Sequence, residues 1–137
     1  MEARMRGMTL IVAIAGTSLL LAATPAVAHH SFTAEFDSTK PIKLMGKVTK
    51  LEWTNPHAYL YIDVADAQTG KVTNWEIELG SPVSLSHLDW KRTTLKVDDV
   101  VTVEGTRARY KENLANARSV ILASTGQKLG AASSEAR

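Results

Sequence analysis

The sequence predicts a mainly β fold. Residues 58–64 and 72–79 alternate between aliphatic side chains and polar or aromatic ones. Such a period of two places one set of side chains against a core and the other set toward solvent, which is typical of half-buried strands. Runs rich in β-branched residues at 42–53, 100–107 and 117–122 raise the number of predicted strands to five.

The first three predicted strands follow one another closely. The strand at 42–53 is long and contains Gly46, where we expect a bulge or bend. Thr54-Asn55-Pro56-His57 breaks it, because proline cannot donate a backbone hydrogen bond. Residues 66–70 are turn-like, so the two alternating strands form a hairpin.

One short helix separates these strands from the last two. Ser81 is a good helix cap and Pro82 suits the first helical position, which predicts a helix over 83–90. The strands at 100–107 and 117–122 follow, joined by a polar loop at 110–116. The order of three strands, one short helix and two strands matches a small five-stranded OB-like Greek-key barrel. A small open β-sandwich is the alternative.

Residues 1–28 have the three parts of a secretory leader. Arg4 and Arg6 precede an apolar run at 8–23, and the small residues Ala26-Val27-Ala28 follow. We expect a cleaved signal peptide, cut after Ala28, and a periplasmic or secreted protein. With a cleaved leader, the protein contacts the membrane only through this segment before cleavage. The alternative is that the segment is retained as a membrane anchor.

After removal of the leader, we expect three parts: an N-terminal arm (29–41), the barrel domain (42–123) and a polar C-terminal tail (124–137). The mature chain has 14 basic and 13 acidic residues, since the leader holds Glu2, Arg4 and Arg6. A balance of +1 gives no electrostatic footprint for nucleic acid. The sequence has no cysteine, which excludes disulfides, thiol chemistry and zinc-thiolate or iron-sulfur sites.

The histidines support the most specific chemical hypothesis, a copper site. Cleavage after Ala28 makes His29 the N-terminal residue, whose α-amine and ring Nδ1 form a chelate suited to Cu(II). His57 is the candidate third ligand, in an arrangement that resembles the histidine brace of copper proteins, and His30 is a second option. The alternative is a frayed terminus with His57 as an ordinary turn residue.

The outer face of the hairpin is the candidate ligand-binding surface. Tyrosines beside polar groups suit sugars or peptides, and OB barrels commonly bind ligands on this face and its adjoining loops. An ordinary exposed face explains the same pattern, and the three tryptophans fit core or core-edge positions. The candidate ligand-binding residues are Tyr59, Tyr61, Asn74, Glu76 and Glu78 on the strands, with Trp53 and Asn55 from the adjoining turn.

Several sequence blocks together resemble one family of small exported bacterial proteins, DUF6152. They are His29-His30-Ser31-Phe32, residues 46–58 around Trp53-Thr54-Asn55-Pro56-His57, Val72-Thr73-Asn74-Trp75, Gly80-Ser81-Pro82, residues 101–105 and residues 116–120. The resemblance implies export and a β-barrel-like fold, but no activity and no catalytic residue.

Two functions therefore remain open. The first is an exported protein that binds or delivers copper through His29, His30 and His57. The second is a metal-free envelope module that recognises a polysaccharide, a peptide or a protein partner. An enzyme is the less favoured reading, because Ser86, His87 and Asp89 have hydrolase residue types without the strand-to-helix turn that positions a nucleophile.

Overall fold

The computed structural model describes residues 32–136. The predicted leader, its cleavage site, His29 and His30 lie outside these residues. No helix within this range is long and apolar enough to cross a membrane. The elements are α1 (Phe32–Glu35), β1 (Phe36–Glu52), β2 (Tyr59–Ala65), β3 (Val72–Glu78), α2 (Pro82–Ser86), β4 (Val100–Ala108), β5 (Leu114–Leu122), β6 (Lys128–Gly130) and a 3-10 turn (Ser134–Ala136).

The strands form one six-stranded sheet whose hydrogen bonding closes into a ring. Their order is β3-β2-β1-β4-β5-β6, and β3 also pairs with β5. The β3–β5 pair is parallel, and all other pairs are antiparallel. The mainly β fold and the β2–β3 hairpin are thus confirmed.

The strands are staggered around this ring. A path that passes from each residue to its partner on the next strand, once around the ring, starts at one residue of β1. It returns to β1 eleven residues away. As a result, the two ends of the long strand β1 approach the same level of the sheet. The positions on this path are Glu52, Tyr59, Glu78, Asn116, Thr106 and Pro41.

The core lies inside the ring and consists of the aliphatic positions of the alternating strands. Trp90 and Trp75 are buried in it, and Trp53 is half-buried against it, as predicted for the tryptophans. The indole of Trp90 donates a hydrogen bond to the Gly130 carbonyl at 2.8 Å, which satisfies its polar atom in the interior. The fully buried aliphatic residues include Leu60, Ile62, Ile77, Leu79, Leu85, Val101, Val103 and Val120.

Two strands begin earlier than the sequence predicts. β1 starts at Phe36 instead of Ile42; Phe36 is buried, but residues 38–41 are exposed, so no alternation is visible there. β5 starts at Leu114 instead of Ala117. Residues 114–116 are all buried and pair with β3, and Ala115 and Asn116 also pair with β4, so the stretch shows no period of two.

The prediction of five strands was wrong by one. β6 lies in the segment assigned to the polar tail, where Leu129 is the single buried residue of three and gives too short a pattern to detect. Helix α2 is also shorter than predicted. Its Ser81 cap, which accepts a hydrogen bond from the Ser84 N–H, and the first-turn Pro82 are confirmed. The helix ends at Ser86, and the chain turns at Asp89 with a φ of 65°.

The irregularity predicted at Gly46 lies slightly further along β1. The register with β2 shifts between Val48 and Lys50. Gly46 instead marks a close approach of two strands, because a Cβ atom there would lie 2.5 Å from the Asp63 carbonyl oxygen.

Candidate functional site

A polar cluster of His57, Glu78, Asn116 and Ser133 lies where the β1–β2 turn meets the end of β3. His57 comes two residues before β2, and Glu78 is the last residue of β3. Asn116 lies opposite Glu78 on the neighbouring strand β5. The backbone beside His57 is bonded to the segment that follows β3. The Ala58 N–H donates to the Gly80 carbonyl, and the Leu79 N–H donates to the Ala58 carbonyl.

The imidazole of His57 has one engaged nitrogen and one available nitrogen. Nδ1 lies 3.0 Å from the Leu79 carbonyl oxygen. Because a carbonyl can only accept, Nδ1 carries the proton, and in the neutral ring the lone pair is on Nε2. Nε2 makes no hydrogen bond to the residues between 32 and 136. The side chain is 35% exposed, so this nitrogen is accessible.

Glu78 is a buried carboxylate beside this imidazole. It is 5% exposed, and its Oε1 lies 3.7 Å from His57 Nδ1. Asn116 donates a hydrogen bond to the same oxygen at 3.2 Å. Burial raises the pKa of Glu78, and the nearby His57 opposes that rise.

Asn116 connects Glu78 to the C-terminal segment. Its Oδ1 accepts a hydrogen bond from the Ser133 hydroxyl at 2.6 Å, so both ends of its amide are occupied. Sequence reasoning placed Glu78 on an exposed face and did not find Asn116 or Ser133. These contacts join residues 38 and 17 positions apart, and no local pattern signals them.

The N-terminal helix α1 lies within electrostatic range of this cluster. The charge of Glu35 contributes to the raised pKa values of both Glu78 and Tyr59. The first described residue, Phe32, stacks on Phe36 with ring centroids 5.2 Å apart. His29 is only three residues before Phe32, a span of at most about 10 Å. The stagger of β1 thus places α1 at the same end of the sheet as the β1–β2 turn.

The predicted tyrosine face is assembled beside the cluster. Tyr59 is paired with Glu78 and Tyr61 with Glu76 across the hairpin. Both rings are half-buried, and this burial is the main reason why each pKa is raised to about 12. The Tyr61 hydroxyl donates to Glu52 at 3.1 Å, which raises its pKa further. Both phenols are therefore protonated at neutral pH.

Polar groups elsewhere on this face bond mainly to one another. Asn74 donates to Asp63 at 2.8 Å, and Lys111 forms an ion pair with Glu76 at 2.5 Å. Of the two predicted residues in the adjoining turn, Asn55 is exposed, whereas Trp53 packs against the core. Lys50 Nζ lies over the Tyr61 ring, 5.3 Å from its centroid. The Tyr59 ring and hydroxyl are thus the groups that this surface offers most readily.

Of the three predicted metal ligands, only His57 lies in the described part of the chain. Within residues 32–136, no group of three or more histidine, aspartate or glutamate side chains is arranged to hold a metal ion. His87, the other described histidine, is exposed at the end of α2, as expected for a surface residue.

Comparison with known proteins gives one result. The model of DUF6152, a family of unknown function, matches residues 16–116. No curated protein and no solved structure matches the chain. The matched region includes His57, Glu78 and Asn116, and it ends before Ser133.

Proposed function

This chain belongs to the DUF6152 family, whose function is unknown, and we propose that it is an exported OB-type barrel protein that binds or delivers copper. Export rests on the leader pattern of residues 1–28 with cleavage after Ala28. The mature protein is then periplasmic or secreted, and it begins with His29.

The assignment to an OB-type barrel rests on the ring of strands. Closure of a barrel requires tilted strands and a fixed stagger of the hydrogen-bond register. Here five strands are bonded in the circular order β1-β2-β3-β5-β4, with an eleven-residue displacement along β1. The short helix α2 lies between β3 and β4, as in the OB arrangement expected from the sequence.

The observation that carries the copper proposal is the orientation of His57. Metal-binding histidines almost always donate their second ring N–H to a carbonyl, a carboxylate or water, which fixes the ring and its tautomer. His57 already has this arrangement, with Nδ1 against the Leu79 carbonyl and Nε2 accessible. Glu78 Oε1 lies 3.7 Å from Nδ1, so a carboxylate as well as a carbonyl faces this nitrogen.

The remaining ligands come from the N-terminus. His29 supplies its α-amine and Nδ1, which together with Nε2 of His57 give three nitrogen ligands in a set suited to Cu(II). His30 is the alternative histidine of the terminus. A reach of at most about 10 Å from Phe32 to His29 is compatible with such a site, because α1 lies within electrostatic range of the neighbours of His57.

A competition titration tests this proposal. The exported protein is titrated with Cu(II) against a chelator of known affinity, alongside His57→Ala and the matched control His87→Ala. Loss of one of three ligands is expected to weaken copper binding at least about tenfold, or ~1.4 kcal/mol. His87→Ala should bind like the wild type, since His87 lies exposed at the end of α2. Equal affinities of wild type and His57→Ala would reject the site.

The N-terminal ligands require a separate variant. The double substitution His29→Ala, His30→Ala is expected to weaken binding at least as much as His57→Ala. If only the double variant loses copper, the metal is held by the terminus alone, and the role of His57 is wrong.

A metal-free binding module is the second candidate. The half-exposed rings of Tyr59 and Tyr61 on one face favour it, with a polysaccharide, a peptide or a protein as envelope partner. Tyr59→Ala with Tyr61→Ala should then abolish retention of the partner in a pull-down from an envelope extract. The role is contradicted if the wild type retains no partner, or if the variant retains the same partners as the wild type.

A further inference from the structure

A groove outside the sites discussed above lies between α1 and the β4–β5 loop. Its volume is about 340 Å³, at the small end of the range for ligand pockets. The residues that line it are Ala34, Glu35, Ala108, Tyr110, Lys111 and Leu114. Alanines and a leucine form apolar walls, and two charged residues complete the lining.

Hydrogen bonds join the two walls of the groove. The backbone N–H of Arg109 donates to the Glu35 carbonyl at 2.9 Å, and the Arg109 Nε donates to the Thr33 carbonyl at 2.8 Å. Below them, Phe32 packs against the buried cluster of Phe36, Ala108 and Leu114. These contacts fix α1 relative to the loop, so the groove is preformed.

Tyr110 is the most unusual residue of this groove. Its side chain is 91% exposed, the highest value among the exposed large hydrophobic residues of the described chain. A single exposed apolar residue needs no explanation, but here the aromatic ring borders a preformed groove. An aromatic side chain with a flat apolar face and a hydroxyl suits stacking against a ligand that is itself partly apolar and partly polar.

Charge at the groove is balanced. Glu35 provides hydrogen-bond acceptors and Lys111 provides donors, one charge of each sign. The ion pair between Lys111 and Glu76 reduces the net positive charge there further. This combination disfavours strongly anionic ligands and complements an uncharged ligand rich in hydroxyl groups, which both donate and accept.

The β4–β5 loop, which forms one wall of the groove, is bonded to the hairpin. The Glu76 N–H donates to the Asn113 carbonyl at 2.9 Å, which joins the β4–β5 loop to β3. In OB barrels, the face of strands two and three and the loops after strands one and four bind oligonucleotides and oligosaccharides. The acidic side chains Glu35 and Glu76 oppose the phosphates of an oligonucleotide, which leaves the oligosaccharide.

We propose that this groove binds a neutral oligosaccharide, with one sugar ring stacked on Tyr110 and its hydroxyl groups bonded to Glu35 and Lys111. The site is separate from the copper site and requires no metal. It rests on the metal-free binding role and adds a second surface to it, besides the face of Tyr59 and Tyr61. The sequence alone assigned residues 110–116 only to a polar loop.

An NMR titration of the exported, metal-free protein tests the proposal. The probes are cellohexaose, N-acetylchitohexaose and maltohexaose, which are all neutral, with a neutral glycine-serine hexapeptide as the comparison ligand. At least one sugar is expected to shift the amide signals of residues 34–35 and 109–114. Tyr110→Ala should weaken that binding at least about tenfold, and Tyr110→Phe should retain it because the stacking face is kept.

A matched control distinguishes this effect from general disturbance of the surface. Val97 is another exposed apolar loop residue, 64% exposed, and Val97→Ala should bind sugar like the wild type. Tyr110→Ala should also retain wild-type Cu(II) affinity, so failure of either proposal can be recognised separately. The proposal is overturned if no sugar shifts these residues, if Tyr110→Ala binds as well as the wild type, or if the hexapeptide binds and the sugars do not.

Discussion

Glu76 and Glu78 are two residues apart on the same face of β3, yet their surroundings differ. Glu76 is half-buried and forms an ion pair with a lysine from the β4–β5 loop. Glu78 is buried, receives a hydrogen bond from Asn116 and lies beside His57. The period of two assigns both residues to one face correctly, but it does not reveal which part of that face the rest of the chain covers.

The difference arises at the point where β3 meets β5 and the C-terminal segment. Glu78 pairs with Asn116, whose amide is bonded to Ser133, and the adjoining Gly80 donates a backbone hydrogen bond to Ala131. Glu76 lies two pairs earlier, near the exposed β4–β5 loop. Glu78 is therefore part of a buried polar network, whereas Glu76 lies half-buried at the surface.

The largest effect in this comparison is expected from Asn116→Ala. Asn116 is 1% exposed, and its removal leaves Glu78 and Ser133 without their amide partner. Each unsatisfied buried group costs about 1 to 3 kcal/mol, so we expect the free energy of unfolding in urea to fall by about 2 to 4 kcal/mol. The exposed Asn74 is the matched control, and Asn74→Ala should lose less than about 1 kcal/mol. Equal losses for the two variants would show that the buried network of Asn116 stabilises the fold no more than the exposed hydrogen bonds of Asn74.

Glu78→Gln is expected to have a smaller effect that depends on pH. The pKa of Glu78 is raised above its ordinary 4.5 in the folded protein, chiefly by burial. The stability gained from the protonated carboxyl is therefore complete below about pH 4.5 and is lost as the pH rises through the folded-state pKa. Glutamine keeps the acceptor for Asn116 and does not ionise. Urea unfolding at several pH values should show the variant gaining stability relative to the wild type as the pH increases.

His57 lowers the pKa of Glu78 and so opposes the effect of burial, whereas Glu35 and Glu76 raise it. The same comparison in a His57→Ala background separates the effect of burial from that of His57. If Glu78→Gln instead loses stability relative to the wild type as the pH rises in this background, the raised pKa is contradicted.

Glu76→Gln is expected to have the smallest effect. The ion pair with Lys111 is exposed on the lysine side, and such pairs contribute about 0.2 to 1 kcal/mol. The loss should decrease further at high salt, where surface charges are screened. A loss above about 2 kcal/mol would mean that Glu76 resembles Glu78 after all.

The sequence predicted those parts of the molecule that depend on local patterns. The β2–β3 hairpin, the Ser81 cap and the burial of Leu60 and Ile77 follow from alternation or from capping residues close together in the chain. The parallel β3–β5 pair and strand β6 depend on contacts between distant segments, so they were missed.

The same distinction applies to the candidate site. His57 and Tyr59 could be singled out by residue type and position, and the structure places them together beside Glu78. The tautomer of His57, in contrast, is fixed by a contact across 22 residues. The burial of Glu78 and the groove at Tyr110 likewise require the closed ring and the docking of α1.

The most direct test of the copper proposal is the intact mass of the exported protein under native conditions, with and without one equivalent of Cu(II). Expression of the full precursor lets the cell set the N-terminus. We predict a mass that begins at His29 and one retained copper ion per chain. A chain that begins at His29 and retains no copper would contradict the account and leave the metal-free binding role as the remaining candidate.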